Sequence, residues 1–321
     1  MSIPHELVIE ILSRLPVKSL FRFKCVSKSW SKLVTTDQHF VELHLNQSTK
    51  SNNINIVASD PKEKYIEEVY SGDSMNFDNA IQLKLPFSFP FCTKLELVGS
   101  CNGILCFMKY FFSSEDMYLW NPTTGDLRII PNIPTGYSVC VFGFGFHKAT
   151  KEYKLVSINL DLRFIRVYTL GIGSWRTLDK ISYNIIPATS SNVLVSGALR
   201  WISRGDHDRY LIVSFDLRDE VIHEISLPNN IYQCDFANAF AELGGLLCLL
   251  SCPLNDRVDV WVMKEYGMVN SWTQQFTIKG STGCGSLKHM RPLGSGKNGD
   301  FLLCMNGREV VLCGSVTQTE T

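Results

Sequence analysis

Apolar residues in the first 45 positions recur at a spacing of three to four, whereas from residue 54 onward they gather in brief runs bounded by Ser, Gly, Asp and Pro. The first spacing is that of amphipathic helices and the second that of short antiparallel strands. Leu7, Val8, Ile11, Leu12 and Leu15 make the first stripe; Pro4 suits a first helical turn and Pro16 ends the helix, which places it at about 4–14. Val17, Leu20, Phe21 and Phe23 fit a second short helix, and Ser27 is an N-cap for a third that carries Trp30, Leu33 and Val34. Three helices and a tail at Phe40–Leu45 form a module, residues 1–45, too small to bury much by itself. Its remaining apolar face is expected to dock on something else. NQSTKSNN at 46–53 is polar and turn-rich and reads as a short linker.

INIVAS, YIEEVYS and IQLKLP open the strand region, within which the chain repeats itself. Aromatic residues centre apolar runs at Tyr70, Trp120, Tyr168, Phe215 and Trp261, separated by 50, 48, 47 and 46 residues. Glycines that open apolar runs, Gly103, Gly197, Gly245 and Gly299, are separated by 94, 48 and 54. Proline follows an outgoing run at Leu85-Pro86, Ile130-Pro131 and Leu227-Pro228. Three registers with one period of about 47 define a unit of about four strands, such as LELVGS, GILCFMK, MYLWNP and LRIIP. That is the sequence signature of a β-propeller blade. Five units fit between residue 99 and the end, and residues 52–98 supply most of a sixth. The prediction is a small all-α module followed, over 54–321, by an atypical or incomplete six-bladed β-propeller, with a β-sandwich of the same strands as the alternative.

Composition narrows the classes of function. With 321 residues, 45% hydrophobic and 19% charged, the chain can build a large domain plus a small one around a substantial core. Its formal charge is zero, from 31 basic and 31 acidic residues, so no global field draws it to nucleic acid or to an anionic membrane. The charge is uneven, however. Arg14, Lys18, Arg22, Lys24, Lys28 and Lys32 face only Glu6 and Glu10 in residues 1–36, a local +4 that fits an acidic partner or a solvated helix face. No basic leader with a long apolar run opens the chain, and no stretch approaches the roughly 18 apolar residues of a membrane span. Eleven cysteines, an odd number, lie in apolar runs such as GILCF and GLLCLL without a CxxC pair, which points to reduced, buried thiols in the cytosol or nucleus.

Catalytic and metal motifs were sought and not found. Seven histidines show no HExxH and no close spacing with Cys or carboxylates; His207 in GDHDR, flanked by two carboxylates, reads as a solvated turn. GSGKNG at 294–299 fails as a phosphate loop because Arg291 stands where the first glycine is needed and Asn298 follows the lysine. Neither G-x-S-x-G nor a catalytic-cysteine signature is present. No cofactor, metal or catalytic residue is nominated. Trp175 and Trp272, in the parallel runs SWRTL and SWTQQF, read as repeat core.

IPHELVIEILSRLPVKSLFRFKCVSKSWSKLV resembles an F-box over more than thirty residues, and the plant version in particular through EILSRLPVKSL and FKCVSKSW. The resemblance implies a Skp-type adaptor as partner, bound through apolar contacts at the matching positions Ile3, Pro4, Leu7, Ile11, Leu12, Leu15, Pro16, Leu20 and Trp30. About half of these should be internal to the bundle. Ile3 departs from the usual leucine, a nearly volume-conserving change expected to cost under about 1.5 kcal/mol.

GSCNGILCF, LWNPTTGDLRIIP, GFGFHKATKEYKLVSI, VSGALRWIS, SFDL and VDVWVMKEYG with SWTQQF are similar to the type 1 F-box-associated interaction domain of S-locus-F-box-like and F-box-kelch-like plant proteins. The resemblance implies a non-catalytic substrate receptor that reaches cullin and RING subunits through the adaptor and presents a target for ubiquitination. S-locus ribonucleases and immune or hormone-signalling proteins are target classes in that family, and no residue here selects among them. A scaffold or decoy outside the ligase, and more remotely a propeller hydrolase, are the other readings. Family members continue past the position of Val310–Cys313 with another strand-forming segment, whereas SVTQTET follows here. Closure of a first blade that lacks its innermost strand depends on that segment.

In a four-stranded blade the loops between second and third strands share one end of the propeller with the inter-blade loops. Here they fall at about Lys109–Asp116, Asn159–Arg163, Ser203–Arg209 and Cys252–Arg257, and they differ sharply from one another. The target is therefore expected at that end. Phe111 and Phe112 either stand in the first loop as aromatic anchors or continue the strand and pack between blades, with Arg163, Arg204, Asp206, Asp208 and Arg209 as orienting charges.

Overall fold

The first helix forms where its apolar stripe begins and stops three residues before Pro16, at Ser13, and the rest of the module follows the same logic. The computed structural model describes residues 4–50, 55–59, 69–73, 76–86, 94–111, 114–132, 139–187, 193–205, 210–228, 231, 240–254, 257–279, 290–295, 301–305 and 309–313. Among them lie helices α1 (His5–Ser13), α2 (Val17–Phe23), α3 (Lys28–Thr36) and α4 (Gln38–Lys50). Pro4 and Pro16 stand immediately before α1 and α2 with extended backbone, and Ser27 caps α3 by accepting the Trp30 N–H at 3.1 Å. The core takes one buried apolar side chain from each helix: Leu12, Leu20, Leu33 and Phe40.

Two expectations are corrected here. The module has four helices instead of three and a tail, and the segment read as a linker is helical through Lys50. Asp37 starts α4 by accepting the Phe40 N–H at 3.0 Å, and the His44 ring holds the helix to the Leu15 carbonyl at 3.0 Å. Once nucleated, the helix tolerates Asn, Gln, Ser and Thr, whose cost is a few tenths of a kcal/mol each, about 0.7 at most.

The strands form six antiparallel sheets among the described residues. The first holds β1 (Asn55–Ser59), β2 (Val69–Asp73) and β3 (Asn76–Leu83). The second holds β4 (Lys94–Cys101), β5 (Ile104–Phe111), β6 (Ser114–Trp120) and β7 (Leu127–Ile130); the third, β8 (Cys140–His147), β9 (Glu152–Asn159), β10 (Phe164–Thr169) and β11 (Ser174–Lys180). The fourth holds β12 (Asn184–Ile185), β13 (Leu194–Val195), β14 (Ala198–Arg204), β15 (Tyr210–Asp216) and β16 (Ile222–Ser226). The fifth holds β17 (Phe240–Leu243), β18 (Leu246–Leu254), β19 (Arg257–Met263) and β20 (Trp272–Lys279); the sixth, β21 (Met290–Ser295), β22 (Phe301–Met305) and β23 (Glu309–Cys313). First strands of successive sheets are neighbours, β4 beside β8, β8 beside β13 and β14, β17 beside β21. This radial arrangement is that of a propeller, and the sandwich alternative falls. The segment after Cys313, on which ring closure was expected to depend, lies outside the described residues, as does Gly299.

The three sequence registers have three physical causes. Trp120, Tyr168, Phe215 and Trp261 all lie on the third strand of their sheets, and each stands directly opposite a leucine of the second: Leu105, Leu155, Leu199 and Leu249. One cross-strand aromatic–aliphatic pair is thus repeated in four of the sheets. The glycine register marks two-residue hairpins in which both turn residues have positive φ, at Asn102-Gly103 (50° and 77°), Ser196-Gly197 (51° and 76°) and Gly244-Gly245 (58° and 83°). That conformation suits the twist of the flanking strands and favours glycine. The proline register marks the exit from the outermost strand. There Trp175 donates its indole N–H to the Pro131 carbonyl at 2.8 Å, and Trp272 donates to the Ser226 carbonyl at 3.1 Å. Each tryptophan stitches its sheet to the preceding one, which is why SWRTL and SWTQQF look alike.

Sheets pack tightly where glycine allows it. In β8, a Cβ on Gly143 would come within 2.8 Å of Leu199 and one on Gly145 within 2.8 Å of Leu194, so the fourth sheet seats itself on bare backbone of the third. Val156, Ile158, Leu199, Trp201, Val213 and Phe215 are fully buried in the resulting core.

Candidate functional site

Two surfaces meet the requirements set by the sequence, one on the helical module and one at an end of the sheets. On α1 the apolar stripe is wider than the small core can cover. Val8, Leu12 and Leu15 turn inward, while Leu7 and Ile11, one turn apart, stay 48% and 56% exposed. Pro4 and Pro16 are exposed as well, and Leu15 and Trp30 are half-buried against the bundle, Trp30 edge-on to Phe23 at 5.9 Å between ring centroids. Leu12 and Leu20, named above as adaptor contacts, are instead core, at 2% and 3% exposure; their positions face the other helices, and docking them elsewhere would empty the module. Ile3 lies outside the described residues.

Sequence reasoning missed Phe23 and Val26, which are 36% and 64% exposed at the end of α2 and beyond it. Val26 carried a signal, an apolar residue in FRFKCV that no helical stripe needs, whereas Phe23 fits the stripe of the second helix. The basic residues around them are largely solvated. Arg14 pairs with Glu10 at 2.7 Å across one exposed turn, and Lys24 lies 4.3 Å from the centre of the Phe21 ring.

The second surface follows from strand direction. Turns joining first to second and third to fourth strands lie at one end of the sheets, and those joining second to third lie at the other. Glu42 of α4 pairs with Lys151, in the turn between β8 and β9, at 2.6 Å. The helical module therefore sits at the end with the short repeated turns. β9, with eight residues, carries the chain to the other end, about 26 Å away at roughly 3.3 Å per residue.

At that far end the loop predicted at Lys109–Asp116 shrinks. Lys109 pairs with Asp116 and Phe111 with Ser114 in the ladder, so Phe111 continues its strand and the connection is two residues long. The reason is the cross-strand set itself, with Met108 facing Met117 and an ion pair of 3.8 Å between Lys109 and Asp116. Phe112, Asp206, Asp208 and Arg209 lie outside the described residues. Arg163 occupies the tip of the β9–β10 turn with φ of 57°, and Arg204 ends β14. These two, far apart in sequence, line one groove of about 1180 Å3 between the third and fourth sheets. Lys180, at the end of β11, lines it too and was not foreseen.

Away from the mouth, the groove reaches a buried ionic cluster. Glu220 accepts bonds from Lys154, at 2.9 Å, and from Arg176, which ties both sheets together. Burial alone would raise the Glu220 carboxyl, but the bonds from Arg176 and Lys154 and their charges hold it below the usual glutamate value. Elsewhere burial pushes the Cys101 thiol up to about 11 and the Cys106 and Cys248 thiols higher still, so these three are inert packing residues. Among the described residues, no three His, Cys, Asp or Glu side chains gather as metal ligands.

Comparison with known families places residues 1–41 in the F-box domain and residues 44–313 in the F-box associated beta propeller domain. The chain belongs to this family. F-box protein At3g07870 of Arabidopsis thaliana is 30% identical to it over 97% of this chain and 80% of the relative. The F-box/kelch-repeat protein At3g23880 and F-box protein CPR1 of the same plant are each 27% identical, over 88% and 91% of this chain and 80% and 76% of theirs. Among solved structures, the SapL1 lectin in complex with alpha methyl fucoside aligns with a TM-score of 0.44 at 10% identity, covering 79% of this chain and 88% of the lectin, a distant likeness from which nothing about function follows. In this F-box protein the helical module is the F-box and the six sheets are its associated propeller, and the pairing supports a substrate-receptor role.

Proposed function

We propose that this F-box protein is the substrate receptor of a Skp–cullin–F-box ubiquitin ligase, acting in the cytosol or nucleus. The observation that carries the reading is the open apolar face of α1: Leu7 and Ile11 remain exposed in a module whose core is already closed by one side chain from each helix. A Skp-type adaptor would cover that face, and burying two such side chains is worth about 1.5–3 kcal/mol each. Cullin and RING subunits follow through the adaptor. The surrounding basic residues would speed encounter with an acidic adaptor surface, an effect that weakens with salt.

The propeller would hold the target at the end away from the F-box. No catalytic residue is required of this chain, because holding a target lysine near a charged conjugating enzyme converts a bimolecular transfer into an effectively intramolecular one. Affinity purification of the tagged protein with and without proteasome inhibition tests the reading. Adaptor and cullin peptides should dominate both samples, with target peptides rising under inhibition. A folded bait that captures neither adaptor nor cullin would remove the ligase reading.

A further inference from the structure

The groove between the third and fourth sheets has an apolar floor and a basic mouth. Ile165, Leu178, Leu211 and Ile222 line it, Ile165 buried and the others half-buried against the same core. Arg163, Lys180 and Arg204 also line it, and all three lie at the end remote from the F-box: Arg163 in the β9–β10 turn, Lys180 opposite Phe164 at the end of β11, and Arg204 opposite Tyr210 at the end of β14. The acidic groups are deployed differently. Glu220 is engaged through Oε1 by Lys154 and Arg176, and Glu224 accepts the Tyr183 hydroxyl at 2.8 Å; Asp179 is the acidic lining residue at the basic end among those described.

Apolar surface continues out of the groove beside the arginine. Leu162 is 57% exposed and Val139 is 51% exposed, and the two strands of chain are pinned together by the Val139 N–H on the Asp161 carboxylate and the Leu160 N–H on the Val139 carbonyl, both at 2.9 Å. An apolar centre with a charged rim is the anatomy of a protein-recognition site. Its volume of about 1180 Å3 has room for a peptide segment, and the three cations at its mouth complement negative charge.

We propose that this groove receives an extended acidic and apolar segment of the target protein, its apolar side chains on the Ile165–Leu211 floor and its carboxylates at Arg163 and Lys180. The inference rests on the receptor reading above and specifies the chemistry of what is received. The test is a random decapeptide display library selected on the purified full chain in complex with its Skp-type adaptor, with the adaptor alone as background. Enriched decapeptides should combine Asp or Glu with Leu, Ile, Val or Phe. Their affinity for the double variant Arg163→Asn and Lys180→Gln should fall at least tenfold, asparagine being chosen because it tolerates the positive φ of 57° at position 163. Arg218→Gln, on an exposed turn at the F-box end, should leave affinity unchanged. No enrichment over the adaptor alone, enrichment of another composition, or unchanged affinity in the double variant would overturn the proposal. Adaptor binding, measured on the same sample, separates the two ideas: if it is lost in the unmodified protein the receptor reading fails, and if it is intact without acidic–apolar enrichment only the groove proposal fails.

Discussion

Ile11 on the first helix is 56% exposed and Trp201 on the fourth sheet is not exposed at all, and the two residues stand for regions that treat apolar surface in opposite ways. The F-box closes a minimal core with one side chain per helix and leaves the outer half of its first apolar stripe in solvent. The propeller buries both faces of its inner strands: Leu199 and Trp201 pack toward the third sheet while Ile202 packs toward the fifth. The contrast teaches where binding energy is held in reserve. A small module that stops short of burying its stripe is half of an interface, whereas packed sheets that bury their inner strands on both sides present side chains at their ends and along their inter-sheet grooves.

The most severe way to break the contrast is to hollow the scaffold. Trp201→Ala should destabilise the propeller by about 3–5 kcal/mol, the range for a buried aromatic, and chemical denaturation should show it. Adaptor capture by the F-box should survive in the same preparation, because no residue of its core lies in the sheets. Loss of both together would mean that the two regions fold as one.

A smaller effect comes from the ionic cluster between the third and fourth sheets. The Glu220 carboxyl is held below its ordinary value of 4.5, so its contribution is fully present above that pH and is lost as pH falls through the lower folded value. Propeller stability measured by denaturation should therefore decline below about pH 4.5, and Glu220→Gln should be less stable at pH 7 and show a shallower decline. The same slope in variant and parent would show that other carboxylates carry the pH dependence.

The smallest expected effect belongs to the contact joining the regions. Glu42 and Lys151 are both 48% exposed, and an ion pair of that kind is worth about 0.2–1 kcal/mol. A double-mutant cycle with Glu42→Gln and Lys151→Gln should find coupling within that range, falling as salt rises. Zero coupling would mean that the orientation of the F-box on the short-turn end is set by other contacts.

How much of this was written in the sequence depends on what each residue does. Trp120, Tyr168, Phe215 and Trp261 announced the repeat because one cross-strand pair recurs at one place in four sheets, whereas Tyr70 stands opposite Ala58 and Gln82 and shares only the spacing; the glycines announced it because the second position of each turn has a positive φ that favours glycine. The F-box stripe was equally legible, but not which edge of it is covered: Leu7 and Leu12 look alike in sequence, and the positions of α2, α3 and α4 decide that Leu12 goes inside. The extension of α4 was illegible because polar residues fit a helix surface and a linker alike. Phe111 was left between two readings because two serines after a pair of phenylalanines fit a loop as well as a strand end, and the ladder from Lys109 to Asp116 decides for the strand. The groove brings Arg163, Lys180 and Arg204 to one place from three strands' ends, a juxtaposition that no linear pattern reveals.

The account turns on the claim that the exposed half of the α1 stripe is a binding face and the inner half is core. The direct measurement is adaptor titration by calorimetry of the full chain carrying Leu7→Ala and Ile11→Ala, alongside its unfolding transition. Affinity should fall by about 2 kcal/mol or more, roughly thirtyfold, the size expected for apolar anchors at an interface centre, with the unfolding transition unmoved because both side chains are already in solvent. Undiminished affinity in the folded double variant would contradict the claim and place the adaptor on another face of the module.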